Sequence, residues 1–186
     1  MDMPGADLWA STRAAGTADE VKWLIAREIP HLRRYALALV NDSAAADDLV
    51  QDCLERATRK SHLLRRRGAV RSWLFRIQYT VFVNACVRRT RRAEVSLDEG
   101  DPSLALRPEQ EGRLVCLDVA QGLARLPVEQ RAAIALVALE GVSYDEAADI
   151  LGVPIGTVRS RLSRGRATLK ALGIGAERGG RIRGIK

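Results

Sequence analysis

The stretch SYDEAADILGVPIGTVRSRLSRGR, residues 143–166, decides the fold of the second half of the chain. Ser143 and Glu146 have the spacing of a capping box, in which the hydroxyl accepts from the Glu146 N–H while the carboxylate reaches back. Gly152 suits the left-handed position that ends a helix, and Pro154 suits the first position of the next helix. A short helix, a glycine turn and a second helix are the pattern of a helix-turn-helix.

The second helix of this pair carries donors and no acid. Five bases lie between residues 155 and 172, and Val158 and Leu162 share its inward face. A helix of this kind enters a major groove, where its donors reach guanine edges or phosphates. Two-helix corners are also common as plain structure, so the row of bases is what favours DNA binding. We expect contacts from Thr157, Arg159, Ser160, Arg161, Ser163, Arg164 and Arg166.

The composition favours helical domains without a bound cofactor. Of 186 residues, 47% are hydrophobic and 4% aromatic, which favours helices over a sandwich or barrel. The longest apolar run, residues 132–139, is too short to span a bilayer, and residues 1–5 show no secretory pattern. Three scattered cysteines and two isolated histidines indicate neither a disulfide framework nor a metal site. We expect a cytoplasmic protein with no metal, cofactor or small-molecule substrate.

Charge is distributed in blocks along the chain. The net charge is +7, but five acids and no base lie in 42–55, and twelve bases and no acid lie in 56–92. Residues 94–118 then hold seven acids against two bases. Segregation on this scale indicates different partners for different segments, with polyanions for the basic ones.

The hydrophobic pattern divides the chain into two helical domains, 19–92 and 112–172. Residues 93–111 between them are acidic, contain glycine and proline, and predict a flexible linker. Residues 1–18 are expected to form a flexible arm, and residues 173–186 a flexible, basic Gly/Arg tail. The predicted fold class is therefore all-α, with two small helical domains.

The first domain combines a helix with an acidic face and a helix that is apolar on most sides. An apolar stripe runs from Trp23 through Ile29 to Leu39, with a kink or new start expected at Pro30. A stop-and-restart signal at residues 41–43 follows, with Asp42 or Ser43 as the N-cap of a second helix. The helix after residue 70 suits the centre of a bundle. Its aromatic side chains fit core packing better than base stacking: Trp73, Phe75, Tyr79 and Phe82.

Several motifs in both domains point to one family. GTVRSRL at residues 156–162 is the most specific, and residues 123–172 around it closely resemble region four of extracytoplasmic-function sigma factors, the small two-domain initiation factors of bacterial transcription. ADDLVQD at 46–52 resembles the region two helix of that family, and SWLFRI at 72–77 resembles the start of its promoter-melting helix. The resemblance covers roughly residues 25–172.

The resemblance implies a role for each domain. In the family, region two docks an acidic helix on a coiled coil of the polymerase β′ subunit, which implies that role for Asp48, Gln51, Asp52 and Glu55. Region two also opens the minus-ten element and holds one strand. This implies DNA contacts from Arg65, Arg66, Arg67, Arg71, Arg76, Tyr79, Thr80, Asn84, Arg88 and Arg89. Many relatives carry Asn and Asp where this chain has Thr80 and Asn84, so no minus-ten base preference is predicted. Region four reads the minus-thirty-five element.

The implied partners are core RNA polymerase (its β′ coiled coil and β flap), promoter DNA and an anti-sigma factor, in a stress or environmental response. Paired acids such as Asp47 and Asp48 have no metal-ligand partners at suitable spacing, and Ser, His and Cys form no nucleophile constellation, so we expect no enzyme. Two alternatives stay open. One is a helix-turn-helix regulator that acts without docking on polymerase, and the other is an RNA-binding or nucleic-acid-processing enzyme that uses residues 56–92 as its active surface.

Overall fold

The structure, a computed structural model, describes residues 6–64, 69–95 and 114–174, and within these ranges it contains helices and no strand. This confirms the all-α prediction. No helix in the described ranges is both long enough and apolar enough to span a membrane. The helices are α1 (Ala6–Val40), α2 (Ser43–Arg59), α3 (Val70–Val95), α4 (Leu114–Ala124), α5 (Val128–Ile134), α6 (Tyr144–Leu151) and α7 (Ile155–Ala171). A 3-10 turn, Ser61–Leu63, follows α2.

Two compact units make up the chain. The first combines Met1–Arg33 with Asp47–Asp98, and the second combines Arg34–Ala46 with Glu99–Lys186. The sequence pattern had placed residues 34–46 in the first domain. Contacts between residues far apart in sequence, described below, hold this segment in the second unit.

Helix α1 departs from the predicted arm and stripe. It begins at Ala6 and passes through Pro30 without a break, so residues 6–18 of the predicted arm are helical. The segment is rich in alanine, the residue of highest helix propensity. Trp23 and Ile29 were expected on the apolar stripe, but they are 58% and 38% exposed. The Arg27 guanidinium lies 4.8 Å from the centroid of the Trp23 ring, which covers part of that apolar surface.

Helices α1, α2 and α3 all contribute buried side chains to the first unit. Phe75 and Phe82 are buried, which confirms core packing for these two aromatic residues, while Trp73 and Tyr79 are half-buried. The Cys53 thiol donates to the Leu74 carbonyl at 3.5 Å. Burial raises the pKa of this thiol to about 12, because the thiolate would lose its hydration.

The second unit contains the predicted helix-turn-helix. The Ser143 hydroxyl accepts from the Glu146 N–H at 3.2 Å, and the Glu146 carboxylate accepts from the Ser143 N–H, so the capping box is confirmed. Gly152 ends α6 at φ 65°, as predicted. Pro154 is the N-cap of α7 rather than its first residue, because its ψ of 147° is extended. Val158 is fully buried.

The buried side of α7 rests on α5 through a glycine. A Cβ at Gly165 would lie 2.5 Å from Cδ1 of Ile134, so only glycine fits without displacement. Helix α5 then passes into a π-helical turn, Ala135–Leu139, that the sequence did not predict. Residues 1–5, 96–113 and 175–186, with most of the predicted linker and tail, lie outside the described residues, and α3 reaches Val95.

Candidate functional site

The acidic face of α2 is exposed, and the helix that carries it is capped at its start. Asp42 accepts from the Ala45 N–H at 2.7 Å, which fixes the start of α2 and confirms Asp42 as the N-cap. All four residues expected to dock on polymerase are exposed: Asp48, Gln51, Asp52 and Glu55. They lie on the side opposite the buried Leu49 and Cys53, as the helical period predicts.

Only part of this acidic charge is neutralised within the chain. Glu55 pairs with Arg59 at 3.4 Å, and Asp47 pairs with Arg33 at 2.8 Å. Asp48 and Asp52 have no ion-pair partner among the described residues. A shallow groove runs along the same helix, and its lining residues are Asp47, Val50, Gln51, Leu54, Glu55, Thr58 and Arg59. The face therefore combines two uncompensated carboxylates with apolar groove surface, which suits a basic, partly apolar helix as partner.

Helix α3 presents a second, basic and polar surface. Arg76, Thr80, Asn84 and Arg88 follow one another at intervals of four residues and are all exposed, so they form one stripe. The Thr80 hydroxyl donates back to the Arg76 carbonyl at 2.8 Å. Arg89 is exposed beside this stripe, and Tyr79 is half-buried.

Arg71 differs from Arg76, Arg88 and Arg89, which are exposed. Its Nε donates to a carboxylate oxygen of Glu28 at 2.7 Å, and its Nη2 lies 3.0 Å from Nε2 of His31. Both partners belong to α1, so Arg71 connects the first turn of α3 to α1. The remaining three residues of the predicted minus-ten set, Arg65, Arg66 and Arg67, lie outside the described residues.

Helix α7 separates its seven predicted DNA contacts into two groups. Four are exposed: Arg159, Ser163, Arg164 and Arg166. Three are half-buried: Thr157, Ser160 and Arg161. The Ser160 hydroxyl donates to the Thr157 carbonyl at 3.0 Å, and Nη1 of Arg161 is buried without a hydrogen-bond partner among the described residues. The accessible surface of α7 is therefore centred on Arg159, Ser163 and Arg166, which lie one turn apart.

Two arginines outside the predicted site residues connect distant segments of the second unit. Arg131 donates to the Leu39 carbonyl at 2.6 Å and to the Ala124 and Leu126 carbonyls at 2.9 and 3.1 Å. It thereby satisfies carbonyls left open at the end of α4. The sequence around Leu39 carries no signal for this contact, because Arg131 lies 92 residues later in the chain.

Arg34 forms the other such contact, with a buried acid. Its Nε and Nη2 donate to the two carboxylate oxygens of Glu140 at 2.6 and 2.9 Å, in the two-pronged geometry typical of arginine with carboxylate. The Glu140 side chain is fully buried, whereas that of Arg34 is half exposed. The hydrogen bond to Glu140 raises the pKa of Arg34. Glu140 directly follows the π-helical turn. Burying its carboxylate is costly unless a cation pairs with it, and Arg34 is that cation.

The described residues contain no group of three or more His, Cys, Asp or Glu side chains placed to hold a metal ion. The exposed faces carry hydrogen-bond acceptors on α2 and hydrogen-bond donors on α3 and α7. Such surfaces bind macromolecules, with acidic faces suited to basic protein and basic faces to nucleic acid.

Comparison with protein families gives two matches, one in each half of the chain. Residues 25–78 match the family described as the Sigma2 domain of PhyR, and residues 116–169 match Sigma-70, region 4. The first match contains α2 and the first part of α3, including only Arg76 of the exposed α3 stripe, and the second contains α5, α6 and most of α7.

Curated relatives and solved structures agree with these matches. The ECF RNA polymerase sigma factor EcfG of Rhodopseudomonas palustris is 34% identical over 83% of this chain and 85% of its own length. SigM, an ECF RNA polymerase sigma factor of Mycobacterium tuberculosis, is 38% identical over 87% of this chain and 81% of its own. The sigma factor RpoE of Bartonella quintana, solved in complex with the anti-sigma factor NepR, has a TM-score of 0.75 and 34% identity, covering 84% of this chain and 98% of that one.

Proposed function

Because the chain belongs to the extracytoplasmic-function RNA polymerase sigma factors, which direct transcription by core RNA polymerase from selected promoters, we propose how its helices divide that work. Helix α2 docks on polymerase, the exposed stripe of α3 holds the opened minus-ten strand, and α7 recognises the minus-thirty-five element. The observation that carries this division is the opposite charge of the exposed faces of α2 and α7.

Docking by α2 is supported by its two carboxylates without ion-pair partners in the described chain. Asp48 and Asp52 lie one turn apart on an exposed face, and their charges are available to steer a basic helix and to fix its register. The groove beside them offers apolar surface mainly from the half-buried Leu54, with Val50 at its floor. We assign this face to the β′ coiled coil.

DNA recognition by α7 is supported by the way its arginines are distributed. The buried residues Val158 and Leu162 leave Arg159 and Arg166 on the outer side of the helix. Arginine offers a planar fork of donors that fits both guanine edges and phosphates. Because α7 is the second helix of a helix-turn-helix, we assign this side to the major groove of the minus-thirty-five element.

Strand binding by α3 is supported by the exposed stripe from Arg76 to Arg88. Opening the duplex costs unstacking energy, which phosphate neutralisation and capture of bases offset. Arg76, Arg88 and Arg89 supply the charge, and Thr80 and Asn84 supply neutral hydrogen-bonding groups. The three arginines of residues 65–67 belong to the same proposed surface by sequence alone.

In this account the chain performs no catalytic step of its own, acts in the cytoplasm, and leaves phosphodiester synthesis to the polymerase. Its solved relative from Bartonella quintana binds an anti-sigma factor, and we propose that this chain also has one. Adding this anti-sigma factor should reduce run-off transcription progressively as its concentration rises, until no transcript remains. A stress or environmental signal that releases the chain is part of the same proposal.

The test is run-off transcription with core polymerase that lacks any other initiation factor. Templates are upstream regions from the genome of the organism itself, and reactions without the chain are the control. We expect discrete transcripts that depend on the chain. A helix-turn-helix regulator that does not dock would give none, and substitution of Asp48, Gln51 and Asp52 by Ala would then leave its activity intact. An RNA-processing enzyme would instead alter added RNA when polymerase is absent.

A further inference from the structure

Arg71 was expected to contact minus-ten DNA, but its guanidinium is engaged within the first unit. Its Nε donates to Glu28 at 2.7 Å and its Nη2 lies 3.0 Å from His31 Nε2. The side chain of Arg71 is 42% exposed and that of Glu28 only 18%. The charge of Arg71 is thus balanced by a carboxylate that has lost most of its water, and moving Arg71 to a phosphate would leave that carboxylate unpaired.

The two partners of Arg71 make a fixed point on α1. Glu28 and His31 are three residues apart and so lie on one face of that helix. A second fixed point lies farther along α3, where the Nε2 of fully buried Gln78 donates to the Leu32 carbonyl at 2.9 Å. Seven residues, about 10 Å of helix, separate Arg71 from Gln78. Attachment at two points fixes the direction of α3 relative to α1. Attachment at one point alone would let α3 rotate about that point.

We propose that Arg71 is a positioning residue that acts through Glu28, an inference that rests on the proposed role of α3 in strand binding. By holding the first turn of α3 on α1, it sets where the exposed stripe that begins at Arg76 lies. It does not itself bind DNA. Arg76, five residues later, is the matched contrast because it is exposed and has no ion-pair partner among the described residues.

A charge exchange distinguishes positioning from direct contact. The variants are R71E, E28R and the double variant R71E/E28R, with R76E and R76E/E28R as matched controls. The holoenzyme is assayed on a duplex promoter and on the same promoter with the minus-ten element already unpaired. R71E should lower the rate of open-complex formation on the duplex by roughly tenfold, and E28R should restore most of it by re-forming the pair. R76E should not be rescued by E28R.

The salt dependence of DNA affinity is a second readout. Loss of a DNA contact changes it, whereas loss of a purely structural contact does not. Loss of one phosphate contact lowers the slope of log affinity against log salt by about 1. We expect R76A to lower the slope and R71A to leave it unchanged. R71A should also lose less activity on the pre-opened template than on the duplex.

The outcomes separate this inference from the function on which it rests. If the wild-type chain directs no transcript, the proposed function fails. If the wild type transcribes but R71E/E28R is as defective as R71E, or R71A reduces the salt slope as R76A does, then Arg71 contacts DNA and the inference is overturned. Thermal unfolding of R71A and E28Q is measured beside both assays, to check that variants lacking the Arg71–Glu28 pair are folded. Should R71E fail to fold, the slope for folded R71A decides between the two roles.

Discussion

Helices α2 and α7 have the same length and opposite character. Each has 17 residues and buries one narrow side. The buried side of α2 includes Leu49 and Cys53, and that of α7 includes Val158 and Leu162. The exposed face of α2 carries acids, and that of α7 carries arginines. The difference teaches that the buried side of such a helix fixes its place in the fold, while the sign of its exposed charge selects its partner.

The largest effect is expected from reversing the charge of the α2 face. In the double variant D48K/D52K, like charges would meet on docking, so the dissociation constant for core polymerase should rise about a hundredfold. Fluorescence anisotropy of the labelled chain measures it. Both positions are exposed, so thermal stability should change little. D149K, on the exposed side of α6, is the control and should bind normally. Normal binding of core polymerase by D48K/D52K would show that the charge of the α2 face does not select its partner.

Two neighbouring arginines of α1 test whether exposed charge is dispensable for folding. Arg34 pairs with the fully buried Glu140 carboxylate, whereas Arg33 pairs with Asp47 with both side chains 54% exposed. R34A leaves a buried charge without that partner and should cost about 2 kcal/mol of unfolding free energy. R33A should cost less than about 0.5 kcal/mol. Urea denaturation measures both, and equal losses would contradict the distinction.

Two glycines of α7 sharpen the contrast between its buried and exposed sides. A Cβ at Gly165 meets Ile134 at 2.5 Å, whereas one at Gly156 meets nothing within 4 Å. The variants G165V and G156V introduce the same side chain on one helix, so their difference reports mainly on packing. G165V should be less stable than G156V by about 2 kcal/mol, as measured by denaturation. A smaller loss in G165V than in G156V would mean that α7 does not pack on α5 through Gly165.

The smallest effect is expected from single arginines of α7. R159A should weaken promoter binding by the holoenzyme about tenfold and lower the salt slope by about 1, with thermal stability unchanged. R161A is the matched variant, because the Arg161 side chain is half-buried and loss of the packing of its aliphatic stem should lower the melting temperature. Gel shifts over a salt series and thermal scans give the two readouts. A normal salt slope for R159A would remove it from the proposed DNA surface.

Features set by neighbouring residues were predictable from the sequence. The capping box of Ser143 and Glu146 and the left-handed Gly152 depend on spacings of a few residues, so the chain itself displays them. The buried stripe of α7 and the acidic face of α2 follow from helical period alone. Fold class and the candidate docking and recognition faces therefore came from local rules and from resemblance.

Features set by distant residues were not predictable in this way. Arg71 looked like its basic neighbours because nothing nearby shows that Glu28, 43 residues earlier, takes its charge. The pairing of Arg34 with Glu140 spans 106 residues. Trp23 fits a helical stripe, yet it is exposed, because periodicity does not show which neighbours are present to cover a side chain.

The central claim is that α2 serves the polymerase and α7 serves the promoter. Its most direct test measures core binding and promoter-specific run-off transcription together for D48K/D52K and for R159A/R164A/R166A. We predict that the α2 variant loses both activities, whereas the α7 variant binds core polymerase normally and loses transcription. Normal transcription by the α2 variant, or loss of core binding by the α7 variant to the same degree, would contradict the division.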